Sequence, residues 1–140
     1  MNQQLHGRRV ALDVGGRRVG LAVSDELGMV ASPVRTVDIK REGMHGLIQA
    51  ISKYNPVEVI IGLPTGLSGF EGPQAAEVRR FAGEVAQHVD VPITYWDERL
   101  TTFAADQALM ESGYRTKRRK EMVDAVAASL ILQSYLDAQR

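Results

Sequence analysis

The chain has 140 residues, the usual size of one domain, and its 17 basic and 17 acidic side chains give a formal net charge of zero. Its composition is 44% hydrophobic with only 5 prolines, which excludes disordered and fibrous proteins. The absence of cysteine excludes disulfides, thiolate-held metal sites and a cysteine nucleophile. We therefore expect one globular domain over residues 1–140.

The sequence offers no membrane-directed segment. The N-terminus lacks the apolar core of a signal peptide, and no stretch approaches the roughly 20 apolar residues of a membrane span. Together with the missing cysteine, this predicts a cytoplasmic protein with no membrane partner.

The first third of the chain has the pattern of an antiparallel meander. In the first run, Val10 and Leu12 alternate with Ala11 and Asp13, so Asp13 shares a strand face with a very small residue. Glycines separate the runs and supply turns. The three predicted strands cover residues 9–14, 18–24 and about 28–37.

The remaining chain alternates helices with strands. Apolar residues three and four apart predict the helices, and short apolar runs between turn residues predict the strands. In chain order these are a helix at about 41–54, a strand at 57–61, a helix at 73–88, a strand at 91–96, and helices at about 101–111 and 121–138. The run at 57–61 is almost wholly apolar, as in a strand buried on both faces and paired in parallel. The sequence thus predicts an α/β fold with a five-stranded mixed sheet flanked by helices.

Three acidic positions lie at the strand ends and helix starts where α/β folds usually carry their functional groups. Asp13 is near the end of the first strand, the pair Asp97-Glu98 lies just beyond the fifth, and Asp124 opens the predicted last helix. Parallel strands bring their carboxyl ends to one edge, where ligands bind in open α/β sheets. Alanines at 127 and 128 would let the last helix approach that edge closely.

Converging carboxylates call for a cation. Their mutual repulsion makes them hold protons unless positive charge neutralises them. Oxygen ligands select hard ions such as Mg²⁺ or Mn²⁺, and two such ions roughly 3.5–4 Å apart can activate a water and stabilise a leaving oxygen in phosphodiester hydrolysis. This predicts a metal-dependent nuclease in which Asp13, Glu98 and Asp124 hold the ions, with Asp13 bridging both.

Each acid also has a purely structural interpretation. Asp13 beside two glycines is a common turn former, and Asp97 and Glu98 can cap a following helix or lie at an exposed edge. Asp124 can be a favourable acid in the first turn of a helix. Only the three together favour catalysis over these alternatives.

Four sequence blocks carry a family resemblance. They are the segment from Asp13 to Asp25, the tripeptide Gly62-Leu63-Pro64, the segment from Asp97 to Thr102, and the segment from Val123 to Ala128 ahead of Ile131-Leu132. In this order and spacing, spanning about residues 9 to 136, they resemble the YqgF family, also called the RuvX or Holliday junction resolvase-like family. One departure is Gly16, where the family commonly has Thr or Ser.

The resemblance implies a ribonuclease H-like fold with an acidic metal site at Asp13, Glu98 and Asp124. It also implies a bacterial cytoplasmic nuclease that processes the 5′ end of the 16S ribosomal RNA precursor, with the precursor particle as a partner. The family has also been proposed to resolve four-way DNA junctions. RNA is therefore the favoured nucleic acid and branched DNA the alternative.

Basic residues surround the acidic blocks. The predicted phosphate contacts are Arg17, Arg18, Arg99, Lys117, Arg118 and Arg119. Guanidinium and ammonium groups can hold a phosphate backbone without selecting its sequence. The alternatives are an ordinary solvated loop for the run at 115–120 and an ion pair that orients Glu98 for Arg99.

Two rival functions belong to other classes. An Asp-x-Gly hairpin resembles the phosphate loop of actin-like ATPases, but those close two such domains around ATP and this chain has one. A catalytically silent RNA-binding scaffold of the same fold is the other rival, and retention of three acids weighs against it. A junction resolvase would need paired sites in a homodimer, whereas an RNA nuclease can act as a monomer, and the sequence leaves both states open.

Overall fold

The structure is a computed structural model that describes residues 6–64, 71–98 and 116–140, with side chains in the last segment from residue 122 onward. The predicted helix at 101–111 lies outside the described residues. Within them, no helix is both long and apolar enough to cross a membrane.

A five-stranded sheet forms the centre of the fold. Its strands are β1 (Arg9–Val14), β2 (Arg18–Ser24), β3 (Ala31–Asp38), β4 (Glu58–Leu63) and β5 (Ile93–Asp97), in the spatial order β3-β2-β1-β4-β5. The first three strands pair antiparallel, whereas β1 with β4 and β4 with β5 are parallel. The predicted mixed sheet and meander are confirmed.

Helices cover both faces of the sheet. They are α1 (Ile39–Ser52), α2 (Pro73–Ala86) and α3 (Thr116–Gln139). The face that carries Val10 and Leu12 packs against α1 and α2, and the face that carries Ala11 and Ala22 packs against α3. Because strand residues alternate between faces, Asp13 lies on the α3 side, as its place in β1 predicts.

The start of α3 differs from its prediction. The helix begins at Thr116 rather than near residue 121, so the basic run at 115–120 is largely helical and does not precede the helix as a loop. Asp124 therefore lies more than two turns inside α3 and does not open it. The interpretation of Asp124 as a first-turn acid is wrong, because such an acid must lie next to the free amide groups of the helix start.

One glycine sets how closely α3 approaches the sheet. A Cβ atom on Gly20 of β2 would lie 1.9 Å from the carbonyl oxygen of Asp124 and 2.8 Å from the amide nitrogen of Ala125. No side chain fits in that space, so the backbone of α3 rests directly on the backbone of β2. Ala125 and Ala128 are fully buried at this contact side, while Ala127, expected there, is only half-buried.

The C-terminal half of α3 is held by polar contacts. The Tyr135 hydroxyl donates to the Glu58 carboxylate at 2.9 Å, and Arg9 Nε donates to the same carboxylate at 2.9 Å. Trp96 stacks edge-on against Tyr135, and its Nε1 donates to Ser134 Oγ at 3.0 Å. These contacts tie the helix to β1, β4 and β5 and so fix the position of its whole length.

Replacing Gly20 with alanine should destabilise the protein strongly. The added methyl group must push α3 off the sheet, and overpacking of this kind costs roughly 3 kcal/mol of unfolding free energy. Urea denaturation followed by circular dichroism measures the loss. The matched control is Gly16→Ala, whose Cβ meets nothing within 4 Å and should change stability by less than about 0.5 kcal/mol. Equal effects of the two substitutions would contradict the close approach at Gly20.

Candidate active site

The parallel strands bring two of the predicted acids to one edge of the sheet. Asp13 is the last residue but one of β1, and Glu98 follows directly after Asp97, the last residue of β5. β4 lies between these strands and runs parallel to both, so all three carboxyl ends meet at this edge. The side chains of Asp13 and Glu98 are hydrogen-bonded to each other.

A hydrogen bond between two carboxyl groups requires a proton on one of them. Burial raises the pKa of Asp13 to about 8, and the neighbouring charges of Glu98 and Asp124 act in the same direction. Burial also raises the pKa of Glu98. The pair therefore retains a proton at pH values where exposed carboxyl groups have lost theirs.

The third acid, Asp124, belongs to α3, which packs on one face of the sheet. Asp13 pairs with Gly20 across the β1–β2 ladder, and the backbone of Asp124 rests on Gly20. The glycine contact thus places the Asp124 carboxylate next to Asp13, where it adds to the repulsion that raises the pKa of Asp13. Burial raises the pKa of Asp124 itself, and the charge of Arg18 opposes that shift.

Asp124 has an oxygen that lacks a hydrogen bond. Its Oδ2 atom is buried, and no donor in the described part of the chain satisfies it. Arg18 Nε lies 3.4 Å away, within the range of an ion pair but without hydrogen-bond geometry. Since a buried carboxylate oxygen without a partner costs free energy, this atom is suited to accept a ligand or a cation.

A second glycine borders the acid pair. A Cβ atom on Gly62 of β4 would lie 2.5 Å from Ile131 Cδ1 of α3 and 3.6 Å from Glu98 Oε2. Gly62 therefore admits Ile131 against the sheet beside the Glu98 carboxylate. Sequence reasoning missed the structural roles of Gly20 and Gly62, although glycine inside a strand is a known sign that another group approaches closely.

A polar cleft of about 460 Å³ opens next to the acids. It is lined by Gly15, Gly16, Arg17, Arg18, Asp38 and Asp124. Arg17 makes a two-pronged hydrogen-bonded pair with Asp38, at 2.9 Å for the shortest contact, and lowers the pKa of that carboxyl. Asp38 also caps α1 by accepting from the amides of Lys40 and Arg41. Arg18, with about half of its side chain exposed, borders both the cleft and Asp124.

The side chains of the other predicted phosphate contacts are not among those that the structure describes. Arg99 lies outside the described residues. Lys117, Arg118 and Arg119 belong to the first turns of α3, two turns before Asp124, but their side chains are not described. Their assignment as phosphate contacts remains a prediction.

The acids fit a hard divalent cation by their chemistry. All three supply oxygen donors, and Asp124 Oδ2 is buried without a hydrogen-bond donor in the described part of the chain. The raised pKa of Asp13 favours one retained proton on the Asp13–Glu98 pair. Within residues 6–64, 71–98 and 116–140, no three His, Cys, Asp or Glu side chains are arranged to hold a metal ion together. Ligation would thus require the bridging proton to leave and the side chains to reorient.

Comparison with known proteins identifies the family of the chain. A family model described as "RuvX: Holliday junction resolvase" matches residues 7–138, nearly the whole chain. The chain belongs to the RuvX family. Its membership confirms the resemblance drawn from the four sequence blocks.

Several relatives of this RuvX chain carry the name "Putative pre-16S rRNA nuclease". The protein from Streptomyces coelicolor is 44% identical over 138 residues, which are 96% of this chain and 82% of the relative. The protein from Roseiflexus sp. is 40% identical over 136 residues, and that from Lactococcus lactis subsp. cremoris (strain SK11) is 43% identical over 138; each alignment covers 96% of both chains.

Solved structures share the fold of this RuvX chain at low sequence identity. RuvC from T. thermophilus in complex with a Holliday junction substrate superposes with a TM-score of 0.62 at 19% identity, covering 96% of both chains. The fowlpox virus resolvase in complex with junction DNA gives 0.60 at 14% identity, covering 94% of this chain and 97% of that one. These likenesses confirm the predicted ribonuclease H-like fold.

The buried acid pair should make the stability of the metal-free protein fall as pH rises. Folded Asp13 keeps its proton up to about pH 8, whereas the unfolded chain releases it near 3.8. Between these values the folded state binds more protons, so the unfolding free energy decreases with increasing pH. In EDTA, Asp13→Asn should flatten this slope, and its stabilising effect should grow from pH 5 to pH 8.

Thermal unfolding in EDTA at several pH values measures this slope. The matched control is Asp90→Asn, which changes an exposed aspartate away from the acids and should leave the slope as in the wild type. An Asp13→Asn variant whose melting temperature follows the wild-type pH profile would show that Asp13 does not hold the retained proton.

Proposed function

We propose that this chain is a divalent-cation-dependent nuclease that hydrolyses phosphodiester bonds in the precursor of 16S ribosomal RNA. The observation that carries the proposal is the meeting of Asp13, Glu98 and Asp124 at the carboxyl edge of the sheet. One carboxyl proton is retained there, and among the described residues Asp124 Oδ2 receives no hydrogen bond. The names of relatives at 40–44% identity support the choice of substrate. The acids support hydrolysis, and family membership supports nucleic acid as the target.

Asp13, Glu98 and Asp124 would hold the cations, which we expect to be two Mg²⁺ or Mn²⁺ ions because their ligands are carboxylate oxygens. When bound, such ions supply positive charge for the leaving oxygen and lower the pKa of an attacking water. Before ligation, the proton between Asp13 and Glu98 must leave, so both carboxyl groups become fully available as oxygen donors. The close approach of α3 holds the Asp124 carboxylate at the same place.

The substrate backbone would enter through the polar cleft. Arg18 stands between the cleft and Asp124, where its guanidinium can hold a phosphate oxygen. Arg17 is paired with Asp38, so a phosphate that uses Arg17 must displace that carboxylate or share the guanidinium with it. Gly15 and Gly16 present only backbone, which lets the sugar-phosphate chain approach the end of β1 closely.

The cellular setting belongs to the same proposal. The protein would act in the cytoplasm, where it would meet the precursor RNA within a ribosomal precursor particle. A single copy of the chain is sufficient for cutting one strand. Whether the chain is a monomer or a homodimer bears on the alternative substrate.

The alternative is resolution of four-way DNA junctions, favoured by the family description and by fold neighbours that carry junction DNA. Because a junction has two-fold symmetry, symmetric cutting requires two sites in a homodimer. Light scattering of the chain with and without a junction, combined with mapping of cuts on opposite strands, separates this alternative from RNA processing.

Asp13→Asn should abolish cleavage. Several kcal/mol of transition-state stabilisation by a correctly held cation correspond to a rate loss of about a thousandfold. The assay compares wild type, Asp13→Asn and the control Asp90→Asn on 16S precursor RNA and on a four-way DNA junction, with Mg²⁺, Mn²⁺ or EDTA. Cleavage of the RNA that persists in EDTA or in Asp13→Asn would refute the proposed metal-dependent site.

Arg18→Ala should weaken RNA binding without sequence selectivity. Loss of one phosphate contact should reduce the slope of log affinity against log salt by about 1. Fluorescence anisotropy of labelled RNA over a salt series measures this slope. Arg41→Ala removes an exposed arginine outside the polar cleft and is the control. An unchanged slope in Arg18→Ala would remove Arg18 from the phosphate contacts.

A further inference from the structure

A second cleft lies across the β1–β2 turn from the acids. It measures about 590 Å³ and opens between α1 and α2. Its apolar lining includes Ile39, Met44, Val78 and Phe81. Val78 is buried, whereas Met44 and Phe81 are half-buried, pack onto the core and line the cavity. We refer to this region as the apolar cleft.

The apolar cleft adjoins the polar cleft beside Asp124. Gly15 and Gly16 line both of them and form the ridge between them. Among the described residues, a Cβ atom on Gly16 would meet nothing within 4 Å, so the backbone of the ridge faces open space at Gly16. A polynucleotide whose phosphate lies against Arg18 can therefore extend over Gly16 into the apolar cleft without meeting a side chain from the described part of the chain.

The charge of the apolar cleft selects which part of a nucleotide can enter. Its rim carries Glu77, Glu84 and Arg80, and Arg80 is ion-paired with Glu77. An excess of negative charge at the rim disfavours phosphate. An aromatic face and a thioether are instead suited to a flat, uncharged ring. Rim carboxylates can also accept hydrogen bonds from the N–H groups of a base edge.

We propose that the apolar cleft binds one unpaired nucleobase of the substrate strand, stacked on Phe81, next to the phosphate held at the acids. The proposal rests on the proposed nuclease function for its choice of ligand. It assigns the site a requirement for single-stranded character near the cut, because a paired base cannot leave its helix to enter the cleft without cost.

The first test is binding without cleavage. Single-stranded RNA oligonucleotides carry 2-aminopurine at one position at a time and are mixed with the protein in EDTA. Stacking on Phe81 should quench the fluorescence at one position. Phe81→Leu should abolish that quenching, whereas Tyr54→Leu, which changes another half-buried aromatic residue on the same core outside the apolar cleft, should preserve it. Melting temperatures of both variants verify that they remain folded.

The second test uses cleavage. Each nucleotide around the cut is replaced in turn by an abasic one, and KM is measured for wild type, Phe81→Leu and Tyr54→Leu. For wild type and Tyr54→Leu, KM should rise about tenfold at one abasic position, as expected for the loss of one base–aromatic stack. Phe81→Leu should show the higher KM with every substrate and no added loss at that position.

The outcomes separate this inference from the proposed function. Quenching that depends on Phe81, with no RNA cleavage under any condition, would support the base site and refute the nuclease. If wild type cleaves RNA and Phe81→Leu shows the same rise in KM at the same abasic position, the base site is refuted and the nuclease function is retained. Absence of quenching at every position would also overturn the base site.

Discussion

The arrangement of the site depends on one contact, the seating of the α3 backbone on Gly20 of β2. A side chain at this position would occupy the space of the Asp124 carbonyl group. Because Gly20 pairs with Asp13 in the β1–β2 ladder, the contact that brings the helix onto the sheet also brings Asp124 to Asp13. The absence of a side chain at Gly20 therefore allows both the packing of α3 on the sheet and the position of Asp124.

This seating has an electrostatic cost. It brings three carboxyl groups together where water is partly excluded, and the fold tolerates them by retaining a proton between Asp13 and Glu98 and by placing Arg18 near Asp124. A site that holds repelling acids in place is destabilised without a cation and stabilised with one. The buried apolar cluster under α1 and α2 and the polar contacts of Tyr135 and Trp96 hold the sheet and α3 together around these acids.

Much of this architecture was predictable from local patterns. The alternation in β1 correctly placed Asp13 on the face opposite Val10 and Leu12, and the apolar run in β4 correctly indicated a parallel central strand. Family membership, predicted from four sequence blocks, is confirmed, while the roles of the three acids in those blocks stay a prediction. These features are predictable because each depends on residues that are close in sequence or on a motif with fixed spacing.

The start of α3 and the close approach at Gly20 were not predictable in the same way. Residues 116–121 are mostly charged, so they show no apolar periodicity, and the helix was expected to begin five residues later than it does. Ala127 and Ala128 were both expected at the contact with the sheet, and Ala128 is fully buried there, whereas Ala127 is only half-buried. Ala125, which was not expected at the contact, is fully buried. The alanines that face the sheet depend on the rotation of α3 about its axis, which tertiary packing determines.

The most direct test of the account is to locate the cation. Crystals of the protein grown with Mn²⁺ and measured at the manganese absorption edge should show an anomalous peak in contact with the Asp13 carboxylate and with Glu98 or Asp124. Crystals of Asp13→Asn grown in the same way should lack it. A wild-type protein that is saturated with Mn²⁺ but shows its peaks away from these carboxylates would contradict the claim that the three acids form the metal-binding centre.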